Sequence, residues 1–435
     1  MKNDARLGGQ SGDTSRRRVV MAAAACSLGL AGCVRHDPGT LRFWAMGREA
    51  EVAGELLVDF EREHPGIRVR IEQLPWSAAH EKLLTAFAGN VLPDVAQLGN
   101  TWLPELQALG ALEPLDARVA AANDLPAADY FGGIWDTNVV DGRLYGMPWY
   151  IDTRVLFYRR DLLAAAGVAE VPTRWDDFQA ALHALKRHLG RERYAIFLPI
   201  NEYAPQVALA LQQPGDSLLR DGGRYGNFRG PGFSRAWRFY RSMFDQQLAP
   251  PASDSEIVNL WDEFARGYFG FYISGPWQIG EFRRRLPAAL QSAWATAPLP
   301  GPDGPGVSIA GGSSLALFSR SRNHEAAWSL VRYLSRPDVQ QRFYDISGNL
   351  PPRRSAWAGE TLARSAPARA FREQLERVRP VPKVPEWERI ATEIRLVTEA
   401  VMRGVLDENR ALEELDARVD RMLEKRRWML SRPIG

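Results

Sequence analysis

Carboxylates, amides and aromatic rings gather at a few places in this 435-residue chain, each beside a short apolar segment. Asn100, Thr101 and Trp102 follow Val95-Ala96-Gln97-Leu98, and Asn201, Glu202 and Tyr203 follow Ala195-Ile196-Phe197-Leu198. Trp277 follows Phe271-Tyr272-Ile273 through Ser274-Gly275-Pro276. Gly47, Arg48 and Glu51 lie beyond Leu41-Arg42-Phe43-Trp44, and Tyr150 and Asp152 stand just before Val155-Leu156-Phe157-Tyr158. These group types suit a ligand with many hydroxyls and faintly apolar C–H faces. Planar amides and carboxylates serve the hydroxyls, and aromatic rings cover the faces. Such a site rejects analogues without the hydroxyls, because its buried partners would go unpaired. Two carboxylates about 5–9.5 Å apart would instead support glycoside hydrolysis, and Asp152 with Glu202 is the pair to consider. A phosphate ester would want clustered arginines, for which Arg48, Arg154 and Arg353 are available.

Other chemistries find little support. The six histidines are scattered, and His183 and His188 are five apart rather than the four that shares one helical face. Neither a metal site nor a cofactor is expected. No nucleophile elbow is present. The two cysteines are Cys26 and Cys33, so no disulfide is expected in the folded part. A net charge of +3, without a basic patch interleaved with aromatics, argues against a nucleic-acid partner. Hydrophobic content of 45% and charged content of 25% fit a soluble globular chain long enough for two domains.

The elements that must position these groups are legible in outline. Residues 41–44 and 67–71 read as strands, and residues 49–63 have helical spacing through Val52, Leu56, Leu57 and Phe60. Residues 81–88 read as helix and 94–98 as strand. Strands alternating with helices predict an α/β layer with a mostly parallel sheet. Ligands gather at the carboxyl ends of such strands, which makes 46–51 and 99–102 two mouths of one site. Further on, strands are expected at 155–158, 195–198, 269–273 and 308–318, and helices at 173–188 and 233–247. The Pro/Gly-rich stretch 298–306 reads as a crossing. Two amphipathic helices, 387–405 and 412–425, close the chain.

The beginning of the chain reads differently. Ser15-Arg16-Arg17-Arg18 precedes an apolar run at 19–32 and then Leu30-Ala31-Gly32-Cys33. A basic stretch, a short apolar stretch and small residues make an export signal. The run is too short to span about 30 Å of hydrocarbon. Leu-Ala-Gly-Cys resembles the bacterial lipobox, which implies acylation at Cys33 and a membrane held through that lipid. The paired arginines resemble a twin-arginine signal; an ordinary basic region of the general secretory route is the alternative. Residues 1–33 are thus read as signal with lipobox and 34–40 as tether, which places the protein at the periplasm or cell surface.

A series of segments, taken in order, points to one family. Phe60-Glu61-Arg62-Glu63-His64-Pro65-Gly66-Ile67 is followed by Leu92-Pro93-Asp94-Val95, then Leu144-Tyr145-Gly146-Met147-Pro148 and Leu156-Phe157-Tyr158. Pro172-Thr173-Arg174-Trp175-Asp176-Asp177-Phe178, Phe271-Tyr272-Ile273-Ser274-Gly275-Pro276-Trp277, Gly311-Gly312 and Gly348-Asn349-Leu350-Pro351 complete the order. The chain resembles the family 1 extracellular solute-binding proteins of carbohydrate ABC importers, the class that includes maltose-binding protein. The resemblance implies an α/β, type II periplasmic-binding-protein-like fold with two discontinuous lobes. Lobe one would be 41–148 plus 309–348, and lobe two 153–300 plus 353–435. Hinges would fall near 149–152, 301–308 and 349–352. It further implies a monomer that is not an enzyme, closes on a small-molecule carbohydrate and delivers it to the permease subunits.

The resemblance also implies roles. Trp277 would stack on a sugar ring, and Asp152 would accept its hydroxyls. Asn201, Glu202 and Tyr203 stand where the family has a carboxylate and an aromatic. Asn100, Thr101 and Trp102 form the other sugar-contacting loop, with Thr101 near an acidic position of maltose-binding protein, so that protein's substrate does not carry over. Trp387, after Pro382-Lys383-Val384-Pro385, resembles an aromatic binding residue. From the residues themselves, Gly47 permits close backbone approach, Gly311-Gly312-Ser313 can present N–H groups, and Arg353 can meet an anion or hydroxyl. Each has a plainer alternative: core packing for Trp102, Trp277 and Trp387, hinge packing for Tyr150, an exposed turn for Asp152, a surface loop for 201–203, a tight turn for 311–313, solvent for Arg48 and Arg353. Three other functions compete: the same fold binding a glycerol-phosphate-type ester, a tethered glycoside hydrolase, and a lipoprotein with a decayed cleft.

Overall fold

The structure, a computed structural model, describes residues 39–431. The export signal, Cys33 and most of the tether lie outside the described residues. The strands that build the two main sheets are β1 (Thr40–Met46), β2 (Arg68–Leu74), β3 (Val95–Gly99) and β4 (Met147–Asp152), followed by β5 (Val155–Arg159), β6 (Tyr194–Phe197), β7 (Phe269–Ser274) and β8 (Trp294–Ala297). Three later strands are β9 (Ser308–Ile309), β10 (Gly311–Leu317) and β11 (Val378–Arg379). The helices that matter below are α1 (Gly47–Glu63), α2 (Trp76–Ala88), α3 (Trp175–Leu189), α4 (Ala204–Leu211) and α5 (Pro231–Asp245). They continue with α6 (Trp277–Arg285), α7 (Pro337–Ser347), α8 (Trp387–Met402), α9 (Glu408–Met422) and α10 (Glu424–Leu430).

One sheet has the order β2-β1-β3-β10-β4, the other β8-β5-β7-β6. Within the first, β1 and β3 run parallel, with Phe43 opposite Val95. Strand β10 runs antiparallel to both β3 and β4, setting Ser313 opposite Gly99 and Gly311 opposite Asp152. Within the second, β5 is antiparallel to β7 and β8, while β6 and β7 are parallel. The sheets are therefore mixed rather than mostly parallel. A parallel neighbour needs a crossover of a dozen or more residues, whereas β10 enters its sheet from the other one and runs back against β3.

Strand β1 shows why these residues fold as they do. Leu41, Phe43 and Ala45 pack with Leu56 and Phe60 of α1 and with Tyr333 and Phe343. Trp44 and Met46 face the other way, toward Leu83 and Ala86 of α2. Both faces are buried, so the strand is apolar throughout rather than alternating. In the second sheet, Leu156, Ile196 and Phe271 meet Trp175, Phe178 and Trp237, and Phe157, Phe197 and Phe269 meet Phe282 and Trp294. The latter cluster also takes in Ile151, Ala310 and Leu350, so apolar packing runs through the strands that connect the sheets.

Those connections are short. Strand β4 passes into β5 through Thr153 and Arg154 alone. Arg154 N–H donates to Ser308 Oγ (3.1 Å), and Ser308 Oγ donates back to Arg154 O (2.8 Å). Ile151 N–H donates to Leu350 O at 3.0 Å. Strand β9 pairs in parallel with β11 just before β10 begins. Strand β4 was not among the expected strands; its Pro148 is tolerated because β4 is an edge strand. A further helix, α10, follows the two expected at the end of the chain. Among the described residues, no helix is long and apolar enough to cross a membrane.

Candidate ligand-binding cleft

The carboxyl ends of β1, β3, β4 and β7 and the start of β10 converge on a cavity of about 540 Å³. The two expected mouths are parts of this one wall. Gly47, Arg48, Asn100, Thr101, Trp102, Tyr150, Asp152, Tyr203, Trp277, Gly311, Gly312 and Ser313 all line it. Glu51, Asn201, Glu202, Arg353 and Trp387 do not.

The aromatic surfaces are held by glycines. Trp277 opens α6 and is 42% exposed. A Cβ on Gly275 would overlap its indole ring, so only glycine lets the tryptophan fold back over the strand end. The Arg154 guanidinium lies 4.6 Å from the Trp277 ring centroid and pairs with the Asp152 carboxylate. Across the cavity, Trp76 and Trp102 meet edge to face at 5.7 Å, and His80 lies 5.2 Å from the Trp102 ring. Gly47, at φ +52°, is positioned so that a Cβ would stand 3.2 Å from Trp76. Its role is thus to seat an indole as well as to turn the chain.

The polar groups rest on a buried frame. Gln97, in β3, donates through Nε2 to Tyr150 Oη (2.9 Å) and Ser313 Oγ (3.2 Å), while its Oε1 accepts from Met46 N–H (2.8 Å). One fully buried amide thereby ties together β1, β4 and β10. Asn100 Nδ2 donates to Ala310 O at 3.1 Å. Gly311 and Gly312 belong to a strand rather than a turn, and a Cβ on either would strike a backbone oxygen of β4. Asn349 Nδ2 donates to Glu49 Oε1 at 2.7 Å, and both residues line the cavity. Glu388, also in the wall, has a buried Oε1 with no hydrogen-bond partner. Burial pushes the Asp152 carboxyl above its usual range; Arg154 opposes this and Glu202 adds to it. Burial likewise raises the Tyr203 phenol, followed by the effect of Glu388.

Five expected residues sit elsewhere, each for a visible reason. Arg353 is buried and committed: Nε donates to Asp129 Oδ2 (2.7 Å), Nη1 to Ser335 O (2.8 Å) and Nη2 to Asp124 O (3.0 Å). It is neither a ligand contact nor a solvated side chain; it pins the chain after β10 and α7 to residues 124–129. Trp387 is 1% exposed and packs among Ile390, Ala391 and their neighbours. The next residue along α8, about 100° around the helix, is the one that reaches the cavity. Asn201 Oδ1 accepts from Asp254 N–H. Glu51 is exposed and accepts from Gln73. Glu202 is outside the wall, so Asp152 and Glu202 do not face each other across the cavity as a hydrolytic pair would. Arg48 donates to Ile346 O at 3.3 Å, and with Arg353 committed elsewhere the three arginines form no cluster for a phosphate ester. Glu49, Trp76, Asn349 and Glu388 were missed. Glu49 sits one residue from Arg48 at the same strand end; for the others no local pattern singles them out.

Two mixed sheets with a tryptophan-walled cavity that carries a few carboxylates and amides where their strand ends meet describe a two-lobe binding protein. The profile of the bacterial extracellular solute-binding proteins matches residues 46–341, and the chain belongs to that family. The sugar-binding protein MalE of the phytopathogen Xanthomonas citri is 54% identical, with a TM-score of 0.88 over 91% of this chain and 100% of that one. The GacH receptor of Streptomyces glaucescens, solved unliganded and with acarbose, is 26% identical at a TM-score of 0.76, covering 89% of this chain and 99% of that one. The diacetylchitobiose binding protein DasA of Streptomyces coelicolor is 26% identical over 86% of this chain and 88% of its own length. These relatives are binding proteins, not enzymes.

Proposed function

We propose that this protein captures a carbohydrate in the cleft and delivers it to the permease of an ABC importer. The observation that carries this reading is the wall itself. Trp277, Trp76 and Trp102 offer ring faces and edges, and Asp152, Glu49 and Glu388 offer carboxylates in the same cavity. The buried, unpartnered Glu388 Oε1 is an acceptor awaiting a donor, and a hydroxyl supplies one. The printed names of MalE, GacH's acarbose complex and DasA support a saccharide as the class of ligand. The two lobes, with limits at 41–148 plus 309–348 and 153–300 plus 353–435, close around it by bending at 149–152, 301–308 and 349–352. The protein acts as a monomer outside the cytoplasm, held to a membrane by acylated Cys33.

A thermal-shift screen of the mature chain against mono-, di- and oligosaccharides tests the reading. A ligand at a hundredfold excess over its Kd adds about 2.7 kcal/mol of stability, which raises Tm measurably. No stabilisation by any saccharide, with stabilisation by glycerol phosphate, would overturn it.

A further inference from the structure

The last helix carries a surface that the cleft does not use. Helix α10 reads Glu424-Lys425-Arg426-Arg427-Trp428-Met429-Leu430, three cations against one carboxylate, followed by three large apolar residues. Trp428 is 53% exposed, Met429 48% and Leu430 44%. Other exposed apolar residues, such as Val58, Val91, Val258 and Val405, stand singly in the chain, which is ordinary for a protein surface.

The helix is seated so that this run stays outside. Leu423, between α9 and α10, is fully buried. One helical turn further along the same face, Arg427 lies 4.7 Å from the Tyr225 ring centroid and donates through Nη1 to Arg224 O at 3.0 Å. That face holds α10 to the loop around Tyr225, and Trp428 and Met429 follow about 100° and 200° around the helix. The charge nearby is one-sided. Arg220 is paired with Asp221 and Arg229 with Asp416, and Asp420 accepts from Gly226 N–H at 2.8 Å. Arg421, in the last turn of α9, and Lys425 are exposed and make no ion pair among the described residues.

We infer that α10 and the end of α9 dock on an anionic lipid surface, with Trp428, Met429 and Leu430 at headgroup depth and Arg421 and Lys425 against the lipid phosphates. Tryptophan and leucine beside lysine and arginine are the composition of a helix that lies in a membrane interface, and an indole ring favours the headgroup level. Each cation near such a surface strengthens binding roughly fivefold. A protein partner fits less well, because three half-exposed side chains fall short of the ~800 Å² per partner that a stable interface buries. The inference goes beyond the cleft reading and holds whether or not Cys33 carries a lipid. A lipid there would keep the surface close and so reinforce a weak contact.

Vesicle co-sedimentation of the mature chain, produced without a lipid at Cys33, tests this. The vesicles are phosphatidylcholine alone or an equal mixture with phosphatidylglycerol. The mixed vesicles should bind about tenfold tighter or more, and the preference should vanish at about 0.5 M salt. Arg421→Gln with Lys425→Gln should weaken binding to mixed vesicles about tenfold or more. Trp428→Ser with Met429→Ser should also weaken it while leaving the salt dependence in place. Circular dichroism melts should show wild-type Tm for both variants, since the altered side chains are exposed. No binding to mixed vesicles, equal binding to both compositions, or binding that neither variant weakens overturns the proposal. Sedimentation velocity provides the alternative: a dimer that Trp428→Ser with Met429→Ser abolishes, without vesicle binding, would assign the patch to a second copy and overturn it too. None of these outcomes bears on carbohydrate capture, which the thermal-shift screen reads separately.

Discussion

Trp277, Arg154 and Asp152 form a stack in which each side chain conditions the next. The guanidinium covers one indole face and holds a carboxylate that burial disfavours. In the proposed binding mode, a sugar ring uses the remaining face or displaces the arginine. Because Trp277 is substantially exposed, Trp277→Ala should weaken saccharide binding about tenfold, corresponding to about 1.5 kcal/mol of aromatic contact, with little change in Tm. Calorimetry and a melt on the same variant check both halves. His80 offers a pH test at the opposite wall. Its hydrogen bond to Glu105 (2.7 Å) raises its pKa above 6.5, and burial opposes the rise. A basic group whose folded pKa is raised contributes stability that is complete below its unfolded pKa and is lost as pH climbs through the folded one. The stability difference between the wild type and His80→Asn should therefore be largest near pH 5 and shrink steadily toward pH 9. A difference independent of pH would show that the imidazolium contributes nothing.

At the scale of elements, the cleft floor depends on one amide and on glycines without room for a side chain. Gln97 joins three strands, so Gln97→Leu leaves Met46 N–H buried and unpaired. The expected cost is about 1–3 kcal/mol, read as a lower midpoint in urea with an unchanged slope. Gly312 combines φ +144° with a Cβ position that overlaps Tyr150 O. Gly312→Ala should cost at least as much, of order 1–3 kcal/mol, and displace β10 from β4. Helices and central strands were readable because periodicity records which face is buried: α1 buries Val52, Leu56, Leu57 and Phe60 as its spacing required. Strand β4 was not readable, since its proline is acceptable only at a sheet edge and being an edge is a property of the assembled sheet.

For the whole molecule, the two sheets are linked by connections as short as Thr153-Arg154, clamped by Ser308, with the cavity beside them. Closure about such links should be detectable. Small-angle scattering of the mature chain should show a reduced radius of gyration on adding a saccharide that raises Tm. An unchanged radius at saturation would refute lobe closure as the response to ligand.

Residue order alone determined the α/β class, the run of family segments from residue 60 to 351, and most of the strand ends that meet at the cleft. These follow from local periodicity and from motifs whose parts lie close together in the chain. Tertiary structure decided which side chains face the cavity. Trp387 and Glu388 are adjacent, yet one is core and the other wall, because helix α8 turns between them. Arg353 had the chemistry of a ligand contact, but Asp129, Asp124 O and the nearer Ser335 O consumed its donors. Partners more than two hundred residues away along the chain leave no trace in the neighbourhood of the residue they claim.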